Sequence, residues 1–177
     1  MILEKVKITA ADVEKIIVTE AAKELVLSFA QKGKTISSAE SCTGGAFGSA
    51  ITAISGASAV YLGGVISYTN DVKMNMLGVN SSTLDAYTAV SEFTAVEMSR
   101  GVRERLGSDF SISVTGYAGP TGGDDINPVG TVFVSVSHKG SDKVTRLSFE
   151  KGIGREEIRK YAVYFMIKSL CVALNEA

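Results

Sequence analysis

Residues 40–45, Glu-Ser-Cys-Thr-Gly-Gly, constrain the fold of this chain more than any other stretch. They follow residues 35–39, which alternate as in a strand, and they precede residues 46–54, which suit a helix. This order places Ser41 and Thr43 beside a helix N-terminus, where unpaired N–H groups and the helix dipole favour an anion. The segment therefore predicts a functional loop at the end of a strand.

Two further segments follow predicted strands. Residues 68–73, Tyr-Thr-Asn-Asp-Val-Lys, supply a lysine, and residues 116–123 form a long glycine-rich loop between two strands. Three such segments at strand ends indicate one common site.

Hydrophobic periodicity predicts an α/β fold with a mixed sheet and helices on both faces. Helices are predicted over residues 12–30, 43–54, 70–76, 91–106 and 158–174, and strands over residues 35–40, 60–68, 109–115, 129–138 and 143–149. A long loop and a hairpin join the last three strands, so at least one of them runs antiparallel. Because no repeat or linker interrupts the sequence, we expect one domain over residues 1–177, with residues 1–11 as a loosely packed N-terminal extension.

Composition and charge narrow the functional classes. Hydrophobic residues make up 45% of the chain and charged residues 21%, which is typical of a globular protein. The 18 basic residues face 19 acidic ones, so no basic surplus indicates nucleic acid. No apolar run has the length of a transmembrane helix, the N-terminus lacks the apolar core of a signal peptide, and Cys42 and Cys171 have no metal spacing. We therefore expect a cytoplasmic protein with reduced thiols and no nucleic-acid or membrane partner.

The chain has a single histidine, His138, which argues against several mechanisms. It falls in a predicted hairpin turn, where we expect an exposed side chain, so a Ser-His-Asp triad would have to be built on that turn. A site with several histidine ligands is impossible. We expect no metal and no cofactor, and a hydrolase with this sequence would use a base other than histidine.

Ser41, Lys73 and Tyr68 could supply that chemistry. A serine needs a base to become a nucleophile, and a lysine whose pKa is lowered by burial can be that base. Tyr68 could orient the lysine. The N–H groups near Thr43, Gly44 and Gly45, or those of the loop over residues 116–123, could hold an oxyanion. Each residue also has a structural interpretation: Ser41 as a helix cap, Lys73 as a solvated helix residue and Tyr68 as a half-buried strand residue.

The glycine-rich loop and two arginines are candidates for substrate binding. Gly116, Gly119, Gly122 and Gly123 suit a binding loop, although a long turn is the alternative. Arg155 and Arg159 are four residues apart on one face of the last helix, where they could clamp a phosphate or form a surface pair. The adjacent Asp124 and Asp125 could bind a cation, but are more often simply solvated.

Together, five segments in unbroken order resemble the CinA C-terminal domain family, which contains the nicotinamide-nucleotide amidohydrolase (NMN deamidase). The similarity extends over about residues 21–174. The matching segments are residues 39–45, 68–73, 89–92, 116–123 and 128–132.

The resemblance implies a three-layer α/β/α fold with a five-stranded mixed sheet, one strand of which is antiparallel. It also implies a homodimer whose small-molecule substrate is a nucleotide: the carboxamide of nicotinamide mononucleotide is hydrolysed to nicotinate mononucleotide and ammonia. The family's proposed mechanism uses a Ser/Lys dyad without metal, which by motif assigns Ser41, Lys73 and Tyr68 to catalysis. In many bacteria the domain follows a second, molybdopterin-biosynthesis-like domain.

Three segments depart from the family pattern. Tyr117 stands where a small aliphatic residue is usual, residues 124–127 lack a lysine before Pro128, and residues 152–155 alter the start of the last helix. None of them involves the dyad, but all three concern substrate choice. Two alternatives therefore remain: a non-catalytic nucleotide-binding or regulatory module, and an amidase for a different substrate.

Overall fold

The computed structural model describes residues 2–177. The strands are β1 (Ile2–Ile8), β2 (Ile36–Glu40), β3 (Tyr61–Ile66), β4 (Phe110–Gly116), β5 (Thr131–His138) and β6 (Ser141–Phe149). The helices are α1 (Ala10–Glu14), α2 (Val18–Gln31), α3 (Ala46–Thr52), α4 (Asn70–Leu77), α5 (Ser81–Tyr87), α6 (Glu92–Leu106) and α7 (Arg155–Glu176), with a short 3₁₀ turn at Ala57–Ala59.

The six strands form one mixed sheet in the order β1-β6-β5-β4-β2-β3. Strand β5 is antiparallel to both of its neighbours, and all other pairs are parallel. The expectation of a mixed sheet with one antiparallel strand is confirmed. The expected number of five strands is wrong, because β1 adds a sixth at the edge.

Residues 2–11 are not a loose extension. Strand β1 pairs in parallel with β6 from Ile2 to Ile8, and the Ile8 side chain is buried. Thr9 then begins α1 with a reciprocal capping box to Asp12, so the predicted helix over residues 12–30 is two helices, α1 and α2. Strand β1 escapes prediction because its partner strand lies more than 130 residues along the chain.

Helices cover both faces of the sheet. Helices α2, α3 and α7 pack on one face over the main apolar core, and α6 packs on the other with α4 and α5 outside it. Beneath α6 the strands present small hydroxyl side chains: Ser111, Ser113 and Thr115 of β4 donate to the carbonyls of Ser99, Ala95 and Ala89 at 2.5–2.6 Å. These bonds hold α6 and the segment before it close to the sheet.

Within residues 2–177, no helix combines the length and the apolar character needed to cross a bilayer.

Candidate active site

The end of strand β2 sends consecutive side chains to opposite faces of the sheet. Glu40 points toward α3 and Ser41 toward α4, and the Ser41 N–H donates to the carbonyl of Val114 at 3.0 Å. Strand β2 lies between β3 and β4, so Ser41 emerges from the interior of the sheet. The strand thus delivers one carboxylate and one hydroxyl to two separate environments.

Glu40 is the anion at the N-terminus of α3. Its carboxylate is 2% exposed and accepts four hydrogen bonds. Oε2 accepts from the Thr43 hydroxyl at 2.6 Å and from the N–H groups of Gly45 and Phe47 at 3.0 and 3.1 Å, and Oε1 accepts from the Gly48 N–H at 3.0 Å. The chain's own carboxylate therefore occupies the helix terminus that the sequence offers to an external anion.

The N–H groups of Gly44 and Gly45, one of the two sets expected to hold an oxyanion, have other partners. The N–H of Gly45 donates to the carboxylate of Glu40, and the N–H of Gly44 donates to the carbonyl of Ser41 at 3.1 Å. Thr43 is fully buried, and its hydroxyl faces Glu40. These hydrogen bonds hold the loop together, so the N–H groups of Gly44 and Gly45 are not free to hold an oxyanion.

Two arginines of α7 hold loops of the site. Arg159 donates from Nε to the carbonyl of Cys42 at 3.1 Å and from Nη2 to that of Thr43 at 2.8 Å. Arg155 donates from Nη1 to the carbonyl of Gly119 at 2.7 Å. Arg159 therefore fixes the loop that carries Ser41, and Arg155 fixes the glycine-rich loop.

Lys73 lies in the middle of α4 and is 1% exposed. Thr69 caps the start of that helix, and Gly78 ends it in the left-handed conformation. The Lys73 Nζ donates to the carbonyl of Ser67 at 2.7 Å and to the hydroxyl oxygen of Ser41 at 3.3 Å. Lys73 is thus a buried partner of Ser41 and not a solvated surface residue.

The surroundings of Lys73 favour its neutral form. Across residues 2–177, none of the ion pairs within 4.0 Å involves its ammonium. Burial lowers the pKa of Lys73 below its ordinary value of 10.5. A neutral amine next to a serine hydroxyl can accept the hydroxyl proton, so the pair has the chemistry of a base and a nucleophile.

The thiol of Cys42, next in the chain, is not a competing nucleophile. It is buried, and burial together with the nearby Glu40 raises its pKa to about 12. The thiol therefore stays protonated near neutral pH, where only a thiolate would react.

Tyr68 lies at the same site without bonding to the pair. Its side chain is 63% exposed, and within the described part of the chain its hydroxyl has no hydrogen bond to Lys73 or Ser41. The carbonyl of Ser67 orients the lysine instead. Ser67 was missed from the sequence because it acts through its backbone, which carries no residue-type signal.

A cavity of about 290 Å³ joins these residues to the glycine-rich loop. Of the predicted site residues, it is lined by Ser41, Lys73, Tyr68, Gly116, Gly119 and Arg155. Its remaining walls are Cys42, Ala89, Val90, Thr115, Tyr117, Ala118 and Thr121. Thr43, Gly44, Gly45, Gly122, Gly123 and Arg159 do not line it.

The glycine-rich loop brings unused donors to the cavity. The backbone of Tyr117 fixes the base of the loop. Its N–H donates to the carbonyl of Thr131 at 2.9 Å, and its carbonyl accepts from the N–H of Gly130 at 2.7 Å. Over residues 2–177, the N–H groups of Cys42, Ala118 and Gly119 donate to no protein acceptor. All three residues line the cavity with Ser41, and Ala118 and Gly119 belong to the loop over residues 116–123, the second set of donors expected from the sequence.

Asp124 and Asn127 close the same loop. Asp124 Oδ1 accepts from the N–H groups of Ile126 at 2.9 Å and Asn127 at 2.6 Å, which makes a tight turn. The Asn127 side chain donates to the carbonyl of Val90, a wall of the cavity, at 3.0 Å. In the part of the chain that the structure describes, no three His, Cys, Asp or Glu side chains are grouped to hold a metal ion.

Fold and site together define an α/β protein with a buried lysine bonded to a serine at the end of an interior strand. Residues 18–174 match the model of the CinA C-terminal domain, and the chain belongs to this family. The family resemblance read from the five segments is confirmed.

Relatives found by sequence similarity are named as CinA-like or competence-damage inducible proteins. A CinA-like protein of Rippkaea orientalis is 44% identical over 141 residues, which are 79% of this chain and 34% of the relative. A putative competence-damage inducible protein of Bacillus subtilis is 44% identical over 155 residues, which are 86% of this chain and 37% of the relative. The chain thus spans about a third of the length of these curated relatives.

Solved structures match over nearly their whole length. The competence/damage inducible protein CihA from Agrobacterium tumefaciens has a TM-score of 0.85 at 40% identity, covering 89% of this chain and 95% of its own. A CinA superfamily protein from Klebsiella pneumoniae has a TM-score of 0.87 at 33% identity, covering 92% and 100%.

Proposed function

We propose that this protein hydrolyses the carboxamide of nicotinamide mononucleotide to nicotinate mononucleotide and ammonia, with Ser41 as the nucleophile and Lys73 as the base. The observation that carries the proposal is the contact of 3.3 Å between Lys73 Nζ and Ser41 Oγ. The lysine is buried without a carboxylate partner and its pKa is lowered, so it is suited to take a proton.

In the first half of the reaction, neutral Lys73 accepts the hydroxyl proton of Ser41 while the serine oxygen bonds to the carboxamide carbon. The resulting oxyanion is held by backbone N–H groups, for which Cys42, Ala118 and Gly119 have unused donors. The Lys73 ammonium then protonates the leaving nitrogen, and ammonia departs. Ser41 is left as an ester of the nicotinate group.

In the second half, Lys73 is again neutral and accepts a proton from water, whose oxygen bonds to the ester carbon. Collapse of this intermediate breaks the bond to Ser41, which regains its proton from Lys73. The carbonyl of Ser67 holds the lysine in place throughout, since its contact with Nζ does not depend on the substrate.

Substrate recognition is assigned to the wall of the cavity opposite the pair. The exposed ring of Tyr68 offers a face to the pyridine ring, and Arg155 has guanidinium nitrogens besides the one on Gly119 for a phosphate. Arg159 holds the nucleophile loop and acts as a positioning residue.

The test is ammonia release from nicotinamide mononucleotide by purified protein in the presence of a chelator. The wild type should turn over, and Ser41→Ala should lose several orders of magnitude in rate while it still folds and binds. Ser82→Ala, an exposed serine on α5, is the matched control and should retain full activity. Undiminished turnover in Ser41→Ala would contradict the proposal.

The two alternatives predict different outcomes of the same assay. A non-catalytic module would bind the nucleotide, as measured by calorimetry, without releasing ammonia from any amide. An amidase for another substrate would release ammonia from a different carboxamide, with loss in Ser41→Ala. Tyr117 is the reason to test this second alternative, because it lines the cavity at a position where the family usually has a small aliphatic residue.

A further inference from the structure

A second cavity lies at the opposite edge of the sheet from Ser41. Its volume is about 630 Å³, and it shares no lining residue with the candidate active site. Phe110 begins β4 and His138 ends the antiparallel β5, so both lie at the amino-terminal edge of the parallel strands. Ser41 follows the carboxyl end of β2, so the two cavities are separated by the length of the strands.

This cavity concentrates positive charge in a chain whose net charge is −1. It is lined by the cationic side chains Lys32, Lys34, Arg103 and Lys139, and its only acidic side chain is that of Asp109. Lys34 pairs with Asp109 at 3.2 Å. Within residues 2–177, the other three cations have no carboxylate within 4.0 Å.

Two of these cations are held in fixed positions. Lys32 donates to the carbonyl of Leu174 in the last turn of α7 at 2.6 Å, and Arg103 donates from Nε to the hydroxyl of Ser137 at 3.2 Å. These bonds leave further N–H donors on both groups, because an ammonium has three and a guanidinium five. Positioned donors lose less side-chain entropy when an anion binds.

The same cavity is also lined by two stacked aromatic rings, those of Phe110 and His138. His138 is half-buried rather than an exposed turn residue, because its ring stacks on Phe110 with the centroids 5.0 Å apart and the planes at 26°. His138 is itself one of the residues that line the cavity. Proteins commonly bind nucleotides with cationic side chains that contact the phosphates and a neighbouring aromatic ring on which the base stacks.

We propose that this cavity is a second ligand site, which binds a nucleoside phosphate. The phosphates contact Arg103, Lys139 and the two lysines before β2, and the base lies against His138. The cavity volume falls within the range of small-ligand sites, and the ligand offsets the repulsion between clustered cations. The site is independent of the amidohydrolase reaction.

Binding can be followed by NMR through the imidazole signals of His138, which are unambiguous because this is the only histidine in the chain. The probe is ATP, titrated into the wild type at constant ionic strength, with adenosine as the uncharged comparison. We expect the His138 signals to shift saturably, with half-saturation below about 1 mM ATP, and adenosine to give a much smaller shift. Signals that stay unmoved up to several millimolar ATP would overturn the proposal.

Variants locate the binding. Lys139→Glu, in an exposed turn, and Arg103→Gln should each weaken ATP binding about tenfold or more, because each removes a phosphate contact. Lys5→Glu is the matched control: it reverses an equally exposed charge on the edge strand β1 and should leave the titration within about twofold. Equal weakening in Lys5→Glu would show that the shift follows net charge alone, and no weakening in Lys139→Glu would show that ATP does not contact this cavity; either result would refute the site.

Discussion

Lys73 and Glu40 lie close to the same strand end, and both are almost inaccessible to water. Glu40 has four hydrogen-bond donors around its carboxylate, so its charge is compensated. The hydrogen-bond partners of the Lys73 amine are the carbonyl of Ser67 and the hydroxyl of Ser41, and neither carries a compensating negative charge. The site thus combines a fixed anion that shapes the loop with an amine that burial shifts toward its neutral form.

The lowered pKa of Lys73 makes stability depend on pH in a defined direction. Between the folded-state pKa and the ordinary value of 10.5, the unfolded chain holds a proton that the folded chain lacks, so stability rises with pH through this window and is reduced below it. Lys73→Met removes this dependence. Urea unfolding at pH 7, 8.5 and 10 should therefore show the variant gaining on the wild type as pH falls, whereas Lys151→Met, at an exposed position, should follow the wild type. Parallel pH curves for Lys73→Met and the wild type would contradict the lowered pKa.

Removal of the Glu40 carboxylate should weaken the nucleophile loop. Glu40→Ala leaves the Thr43 hydroxyl and three N–H groups without an acceptor, which we expect to cost about 3 kcal/mol in the free energy of unfolding. Turnover should fall as well, since the loop carries Ser41. The exposed Glu104→Ala should stay within about 0.5 kcal/mol of the wild type in urea unfolding. A similarly small change in Glu40→Ala would show that the loop does not depend on this residue.

At the scale of elements, the position of Lys73 depends on how α4 packs against α6. A Cβ added at Gly101 of α6 would overlap the backbone carbonyl of Leu77, at the end of α4. The absence of a side chain at this position lets the two helices approach, and α4 carries Lys73.

Gly101→Ala should therefore destabilise the protein although alanine is the better helix former. Propensity alone predicts a gain of about 1 kcal/mol, whereas the overlap with a backbone atom should cost about 2 kcal/mol or more. Because α4 must shift, turnover should also fall. Thermal unfolding and the ammonia assay measure both effects, with Ser82→Ala as the control for an added helix-forming residue. A stabilised, fully active Gly101→Ala would show that the contact is not needed.

Strand β1 contributes to the core at the other edge of the sheet. Ile8 is 1% exposed, whereas Leu3 of the same strand is 37% exposed. Ile8→Ala should lower the free energy of unfolding by about 3 kcal/mol, and Leu3→Ala by less than about 1 kcal/mol. Equal and small effects in urea unfolding would mean that residues 2–8 pack loosely, as the sequence alone indicated.

At the scale of the whole molecule, local patterns were enough to predict most helices and strands and the meeting of Ser41, Lys73 and the glycine-rich loop. The carboxyl ends of β2 and β3 lie side by side, so segments that follow them converge. The acceptor of the α3 N–H groups and the edge strand β1 could not be predicted in this way. The first depends on the direction of the Glu40 side chain. The second depends on the pairing of β1 with β6, a strand more than 130 residues away in the sequence.

The fold also separates two environments along the strands. The candidate active-site cavity at the carboxyl edge has a buried amine and unused backbone N–H groups, and the cavity at the amino edge has clustered surface cations. Only the first is marked in the sequence by adjacent motifs. The second gathers Lys32, Lys34, Arg103 and Lys139 from distant segments, so only the folded chain brings them together.

The role of Lys73 as a neutral base for Ser41 can be tested by the pH dependence of kcat/KM for ammonia release from nicotinamide mononucleotide. This quantity reports the ionisation of the free enzyme. We predict an ascending limb with a pKa clearly below the ordinary lysine value of 10.5 and a plateau above it, because activity requires the deprotonated amine. Activity that rises only with the pKa of an unperturbed lysine, or the same ascending limb in Lys73→Ala, would contradict this role.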